Sequence, residues 1–366
     1  MKKILFSKPQ INTKDTLKSI KKILIKKYPN EGEVTKKFEK SLKKILKSKF
    51  AVSTTNGTSA IFIALKALNI GSKDEVIVPN ITFAATANAV KMTGAKVVLV
   101  DIDPKTLLIN IESLKNKISH KTKAVIPVHV SGRGSNIKKI IKICKEKNIY
   151  IVEDAAEAFG SKYKNKSLGT FGVCGCFSFA PNKIITTGQG GLVVTDNKSI
   201  FHKLKMFKDQ GRFGPTTGGE DSYFSDGFNF KLTNLQSALG ISQLKTLSRR
   251  KKKLLSIYKF YKNNLVQNKN FYLIGFDEKI GEIPLWTDVF CKKRNELFNY
   301  LKKNNIYCRY FWHPLSAIRT FKCSFSELKY SKNLQKKLMW LPSSLDLTNN
   351  EQKKICSLIN NFLKNE

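Results

Sequence analysis

CGCFSFAPNKIITTGQGG, residues 174–191, decides how the chain is read. A compact apolar run at 176–179 has the length of a buried strand, and Ala180-Pro181-Asn182 breaks it. One lysine, Lys183, follows, then Ile184-Ile185, two threonines and the turn Gly188-Gln189-Gly190-Gly191, before a second strand at 192–195. An amine held between a strand and a glycine turn, among aromatic and aliphatic neighbours, sits in low-dielectric surroundings. There an amine acts as a nucleophile toward carbonyls. With 59 lysines in the chain, a surface lysine is the default for any one of them, so the rest of the sequence has to decide.

The chain has 366 residues, which suits one large domain and a smaller one. A hydrophobic content of 41% supplies a sizeable core, and the absence of an 18-residue apolar run argues against a membrane span. The stretch MKKILFSKPQ has an apolar segment too short for a secretory leader, so a cytoplasmic protein is expected. Seven scattered cysteines, with no Cys-x-x-Cys pair, read as reduced thiols rather than a metal site. The net charge of +39 raises the question of nucleic acid. Only 7 of the 66 basic residues are arginines, however, and the lysines spread through nearly every segment. Nucleic-acid readers rely on arginine forks and aromatic platforms, so no nucleic-acid partner is expected.

Outward from the lysine, the chain alternates. Amphipathic helices are expected over 12–28 and 33–47, the first ended by Pro29-Asn30. A strand from Phe50 leads through Asn56-Gly57-Thr58-Ser59 into an apolar helix over 60–68. Strands at 76–79, 96–100, 124–130 and 150–152 alternate with helices at 83–93, 111–118 and 136–147. This βαβ pattern predicts an α/β fold with a mostly parallel sheet covered by helices. Helices at 199–208 and 235–247 bracket a glycine-rich loop, 211–226, expected to be mobile. A composition shift near 248 divides the chain into a large domain, 1–247, and a smaller α+β domain, 248–366. In open α/β sheets functional groups gather at the carboxyl ends of strands. Phe83, His129, Asp154 and the segment from Ser178 to Lys183 fall there. A strand, a small-residue turn and a helix start at 53–59 place free backbone amides together, an anion site. Anion site, apolar face, acid and lysine together suit pyridoxal 5′-phosphate, which needs a phosphate cradle, a ring partner, a carboxylate on its pyridine nitrogen and an amine for its aldehyde.

The sequence resembles the DegT/StrS group of pyridoxal-phosphate sugar aminotransferases, of fold type I. The matching stretches run in order from EGEVTKKFE (31–39), NGTSAIFIAL (56–65) and DEVIVPNITFAATANAV (74–90) to VEDAAEAFG (152–160), CFSFAPNKIITTGQGG (176–191) and GFNFKLTNLQSALGISQL (227–244), with weaker echoes at IYCRYFWHPLSA (306–317). The resemblance implies that Lys183 holds the cofactor and shuttles the proton, that Asp154 pairs with the pyridine nitrogen and that Glu157 approaches the ring hydroxyl. It further implies that Phe83 covers the ring, that Gly57, Thr58 and Ser178 bind the phosphate, and that Asn229 reaches it from the neighbouring subunit of a homodimer with shared active sites. His129 is a candidate beside the ring or substrate, and Arg309 and His313 are candidates at the sugar-nucleotide end. The motifs depart at Gln189, where a glutamate is usual, at Lys231, where arginine is common, and after His313-Pro314-Leu315, where a further histidine is often found. The implied activity is transfer of an amino group from L-glutamate to a nucleotide-linked keto-sugar for surface polysaccharide. EDAAEA and NKIITTG are most similar to the perosamine-synthase-like subgroup, which makes 4-amino-4,6-dideoxy sugars. Amination at C-3 and a non-catalytic cofactor-binding regulator are the alternatives. The dehydratase subgroup carries histidine in place of Lys183.

Overall fold

The computed structural model describes residues 2–134, 136–212, 222–321 and 327–364. Strands are numbered in chain order. The large sheet is built from β1 (Phe50–Thr54), β2 (Glu75–Pro79), β3 (Lys96–Val100), β4 (Thr122–Val125) and β5 (Tyr150–Asp154). After a small hairpin, β6 (Lys162–Tyr163) and β7 (Lys166–Ser167), it is completed by β8 (Cys174–Ser178) and β9 (Gly191–Thr195). Their order is β1-β9-β8-β5-β4-β2-β3, and β9 alone runs against its neighbours. The sheet is mostly parallel, as the βαβ alternation predicts.

Successive strand residues serve opposite faces, so both must be covered. Val76 and Val78 pack with Ala60, Ile63 and Leu204 of the helices Gly57–Ala67 and Lys198–Lys208. Ile77, between them, packs instead with Leu114 and Ile140 from Ile111–Lys117 and Ile137–Glu146. The strand expected over 124–130 stops at Val125. Pro127 has no amide to donate to a ladder, and beyond it only Val128 bridges to Asp154. The helix expected from 60 begins at Gly57, because Asn56 and Ser59 form a capping box there.

A second, antiparallel sheet follows: β10 (Phe271–Leu273), β11 (Thr287–Cys291), β12 (Arg309–Tyr310) and β13 (Leu338–Leu341), in the order β10-β11-β13-β12. The helices Leu247–Asn264 and Asn349–Lys364 cover it through Ile257, Tyr261, Ile355 and Ile359. Residues at the beginning of the chain run beside this sheet: Ile4 bridges to Ile306, and Ser343 donates its amide to the Phe6 carbonyl at 2.9 Å. The loop 211–226 lies largely outside the described residues. Among the described residues no helix is long and apolar enough to cross a membrane.

Candidate active site

The carboxyl ends of β2, β5 and β8 open to one side of the sheet, and Lys183 stands five residues beyond β8. Its turn is pinned from three directions. The Lys183 amide donates to the Ala180 carbonyl at 3.1 Å, Phe179 donates to Gly190 at 2.8 Å, and Thr187 returns to Phe179 at 3.0 Å. The Lys183 side chain is 12% exposed. Its Nζ donates to Glu157 Oε1 at 3.1 Å and lies 5.0 Å from the centre of the Trp286 ring. An amine between a carboxylate and an indole face has its charge stabilised on both sides.

Two buried carboxylates flank it. Asp154, the last residue of β5, accepts from the Thr86 hydroxyl at 2.7 Å and from the Ala156 amide at 3.1 Å. Burial pushes its carboxyl above the ordinary range, against the pull of the Thr86 bond and of Lys183. Glu157 accepts the Ser131 amide at 2.9 Å on Oε2 while Oε1 faces Lys183. Burial likewise raises it, with the Lys183 charge opposing.

The anion cradle takes shape at the start of Gly57–Ala67. Of the four amides that a helix start leaves without intrahelical partners, that of Asn56 goes to Ser59 Oγ at 3.2 Å and that of Ser59 to Asn56 Oδ1 at 2.8 Å. Those of Gly57 and Thr58 remain at the positive end of the helix dipole. A Cβ on Gly57 would come within 3.0 Å of Ser178 Cβ, so glycine permits the close approach that brings the Ser178 hydroxyl beside the helix start. An amine, a buried acid and a dipole-backed anion cradle at neighbouring strand ends fit the chemistry of pyridoxal phosphate.

Other candidates lie further out. Phe83 is 56% exposed, and its ring centre stands 6.5 Å from that of Trp312. Asn229 is exposed and bridges to Asp209, which also pairs with Lys231. Arg309, on β12, lies 5.6 Å from the Trp340 ring centre, and His313 is exposed beside Trp312. His129 is buried with both ring nitrogens engaged: Nδ1 faces the Arg133 carbonyl at 3.1 Å and Nε2 faces Glu153 at 2.8 Å. Glu153 also receives the amides of Gly169, Phe171 and Gly172, so this pair ties β5 to the following loop. Thr86, Trp286 and Ser131 were missed by sequence reasoning. Thr86 carries a signal, three residues after Phe83 in the first turn of the helix Ala85–Met92; Trp286 arrives just before β11 of the second sheet with none.

Comparison with known proteins identifies the family. Residues 10–360 match the DegT/DnrJ/EryC1/StrS aminotransferase family. GDP-perosamine synthase of Escherichia coli O157:H7 is 34% identical over 346 residues, 91% of each chain. The Helicobacter pylori PseC structure, an aminotransferase involved in the biosynthesis of pseudoaminic acid, superposes with a TM-score of 0.92 at 26% identity over all of both chains. The PLP form of the sugar aminotransferase Spr1654 from Streptococcus pneumoniae shares the fold, with a TM-score of 0.94 at 22% identity over 100% of this chain and 99% of its own. The chain belongs to the DegT/DnrJ/EryC1/StrS aminotransferase family.

Proposed function

We propose, with that membership as premise, that the protein uses pyridoxal phosphate to move an amino group from L-glutamate to a nucleotide-linked 4-keto-6-deoxyhexose, giving the 4-amino-4,6-dideoxy sugar. The observation that carries the reading is Lys183, nearly enclosed, with its amine 3.1 Å from buried Glu157 and with Asp154 at the neighbouring strand end. When bound, the cofactor supplies an electron sink for the substrate carbon. In this reading the chain supplies the rest. Lys183 Nζ takes and returns the proton. Asp154, fixed by Thr86 and Ala156, stands as the anionic partner of the ring nitrogen. Glu157 fixes the lysine and would stand toward the ring hydroxyl. Gly57, Thr58 and Ser178 would hold the phosphate, and Phe83 would cover the ring.

The 4-keto preference is supported by the perosamine synthases among the relatives. Asn229 is exposed within its own chain, which supports its reaching the phosphate of a second subunit in a homodimer. The wall of Trp312, with Arg309 and His313 on the second sheet's side, is where we place the sugar nucleotide.

The test is the visible absorption spectrum of the protein loaded with pyridoxal phosphate, before and after excess L-glutamate, beside Lys183→Ala. The expected result is a yellow band that bleaches with glutamate and that a nucleotide-linked 4-keto-6-deoxyhexose restores. Lys183→Ala should form no such band. A protein that stays colourless with added cofactor would overturn the reading, and restoration by 3-keto acceptors alone would move the amination to C-3.

A further inference from the structure

Ser131 is a non-glycine residue with φ +52°, fully buried, in a turn held by contacts from both sheets. An L-residue in the left-handed region is strained, and persists only where its surroundings hold it. What holds Ser131 is visible. Its hydroxyl donates to Asp288 Oδ1 at 2.9 Å, on β11 of the second sheet. Asp288 is also paired with the Arg133 guanidinium. Arg133 in turn donates to the carbonyls of Gly275 at 2.8 Å and Ile274 at 3.0 Å, and stacks 3.7 Å from the Phe276 ring centre. The next residue, Gly132, has φ +101°, and a Cβ there would meet the Ile283 carbonyl at 2.1 Å. The turn is therefore clamped against the second sheet by a buried ion pair, a hydroxyl and a backbone contact that only glycine allows.

The turn points two groups at the lysine. Its Ser131 amide donates to Glu157 Oε2 at 2.9 Å, which leaves Oε1 directed at Lys183. Its Ser131 carbonyl accepts the Leu285 amide at 2.9 Å, which fixes the residue before Trp286, the ring beneath Lys183 Nζ. Both neighbours of the amine are thus referenced to one strained turn, although one belongs to the first sheet's loops and the other to the second sheet.

We propose that Ser131 is a positioning residue for the lysine site: the Asp288–Arg133 clamp holds it left-handed, and the held turn sets both Glu157 and Trp286 against Lys183. The inference rests on the reading of Lys183 and Glu157 above and deepens it. It makes the second sheet part of the catalytic geometry through a chain of buried polar contacts, with no substrate required.

Three variants test it. Ser131→Ala keeps the strain and removes the hydroxyl that holds it. Ser131→Gly removes the hydroxyl as well, but glycine adopts positive φ without strain. Asp288→Asn weakens the clamp from the other side. The first readout is amide hydrogen exchange at residue 131 in protein free of cofactor. Exchange there should quicken by about tenfold or more in Ser131→Ala and in Asp288→Asn, and by far less in Ser131→Gly. The second is the shape and position of the visible band of the loaded enzyme, together with Trp286 emission. Both should change in Ser131→Ala and return most of the way in Ser131→Gly. Equal behaviour of the alanine variant and the wild type would overturn the proposal, and so would a glycine variant as disturbed as the alanine one. Glu157→Gln separates this from the function reading. If that variant leaves the band unaltered while exchange at residue 131 still follows the expected order, the clamp stands and the role given to Glu157 fails.

Discussion

Asp154 and Glu157 bring two carboxylates into a place where burial opposes their charge, and both carboxyls are raised chiefly by that burial. The sign of the consequence follows from linkage. A carboxyl with a folded-state pKa above its unfolded value binds more protons in the folded chain, so stability is greatest at low pH and declines as pH rises from the ordinary value, 3.8 for Asp154, through the raised one. The fold therefore works against the ionised form of both carboxyls, as functional sites often do. Asp154→Asn removes the charge at small geometric expense. Its amide oxygen can accept from Ala156. Its nitrogen can donate to the Thr86 hydroxyl, whose proton turns to the Phe83 carbonyl or the Thr82 hydroxyl, each 3.3 Å away. Thermal unfolding of the cofactor-free protein should show Asp154→Asn melting higher at pH 8 by about 2 °C or more, with the gain shrinking toward pH 4. The same variant, having lost the anionic partner proposed for the ring nitrogen, should retain the cofactor poorly and transfer amino groups slowly. An unchanged melting difference across pH would show that Asp154 carries no raised pKa.

Elements are joined at this site by two clasps at adjacent strand ends. Asn80, just past β2, accepts the Leu315 amide on its carbonyl at 2.7 Å and the Ser316 amide on Oδ1 at 2.9 Å. Asp101, just past β3, accepts the amides of Ile102, Tyr330 and Ser331 and the Ser331 hydroxyl on a single carboxylate, all within 2.9 Å. These clasps moor the stretch that follows Trp312 and His313 and the helix Lys329–Leu334 to the large sheet. Asp101→Asn turns one acceptor into a donor facing backbone amides, which should destabilise by about 1–3 kcal/mol in urea unfolding and speed exchange of the Tyr330 and Ser331 amides. Asn80→Ala should speed exchange at Ser316 while leaving those two amides protected, since its clasp is separate; parallel effects at both places would refute two independent clasps. None of these long-range ties is legible in the sequence, and the reason is physical. The strands around Val76–Val78 and the helices between them follow from local periodicity, and Lys183 is marked by its own flanking strand and glycine turn. Asp154 and Glu157 become readable through the order of motifs. Trp286, Ser131 and the clasps depend on which residues a second sheet brings back across the first, and nothing in their own neighbourhoods announces it.

At the scale of the whole molecule, the charge and the aromatic residues are distributed in opposite ways. The lysines behind the net charge of +39 are spread along the chain, whereas all three tryptophans meet in one wall between the two sheets. Trp286 lies 4.8 Å from Trp340, Trp340 lies 5.1 Å from Trp312, and Trp312 lies 6.5 Å from Phe83, centre to centre. Phe6 packs on Trp286 at 5.5 Å, so a segment from the beginning of the chain belongs to the same wall. We keep the division at 247/248 as a proposal, with the wall as the seam across which the two parts share a site. The wall begins at Lys183, whose amine stands 5.0 Å from the Trp286 ring, and it ends at the exposed face of Phe83. A ring chromophore carried by Lys183 that absorbs where indole emits would therefore lie within quenching distance of every tryptophan in the protein. Titrating the cofactor-free protein with pyridoxal phosphate should remove most of the intrinsic emission, and the loss should saturate at one cofactor per chain. Trp286→Phe should remove a large part of the quenchable signal, and Lys183→Ala should weaken the quenching because the cofactor is no longer anchored. Emission that survives loading, in protein whose visible band shows the cofactor bound, would mean that the wall does not border the cofactor, and the sugar-nucleotide end would have to be sought on another face of the strand ends.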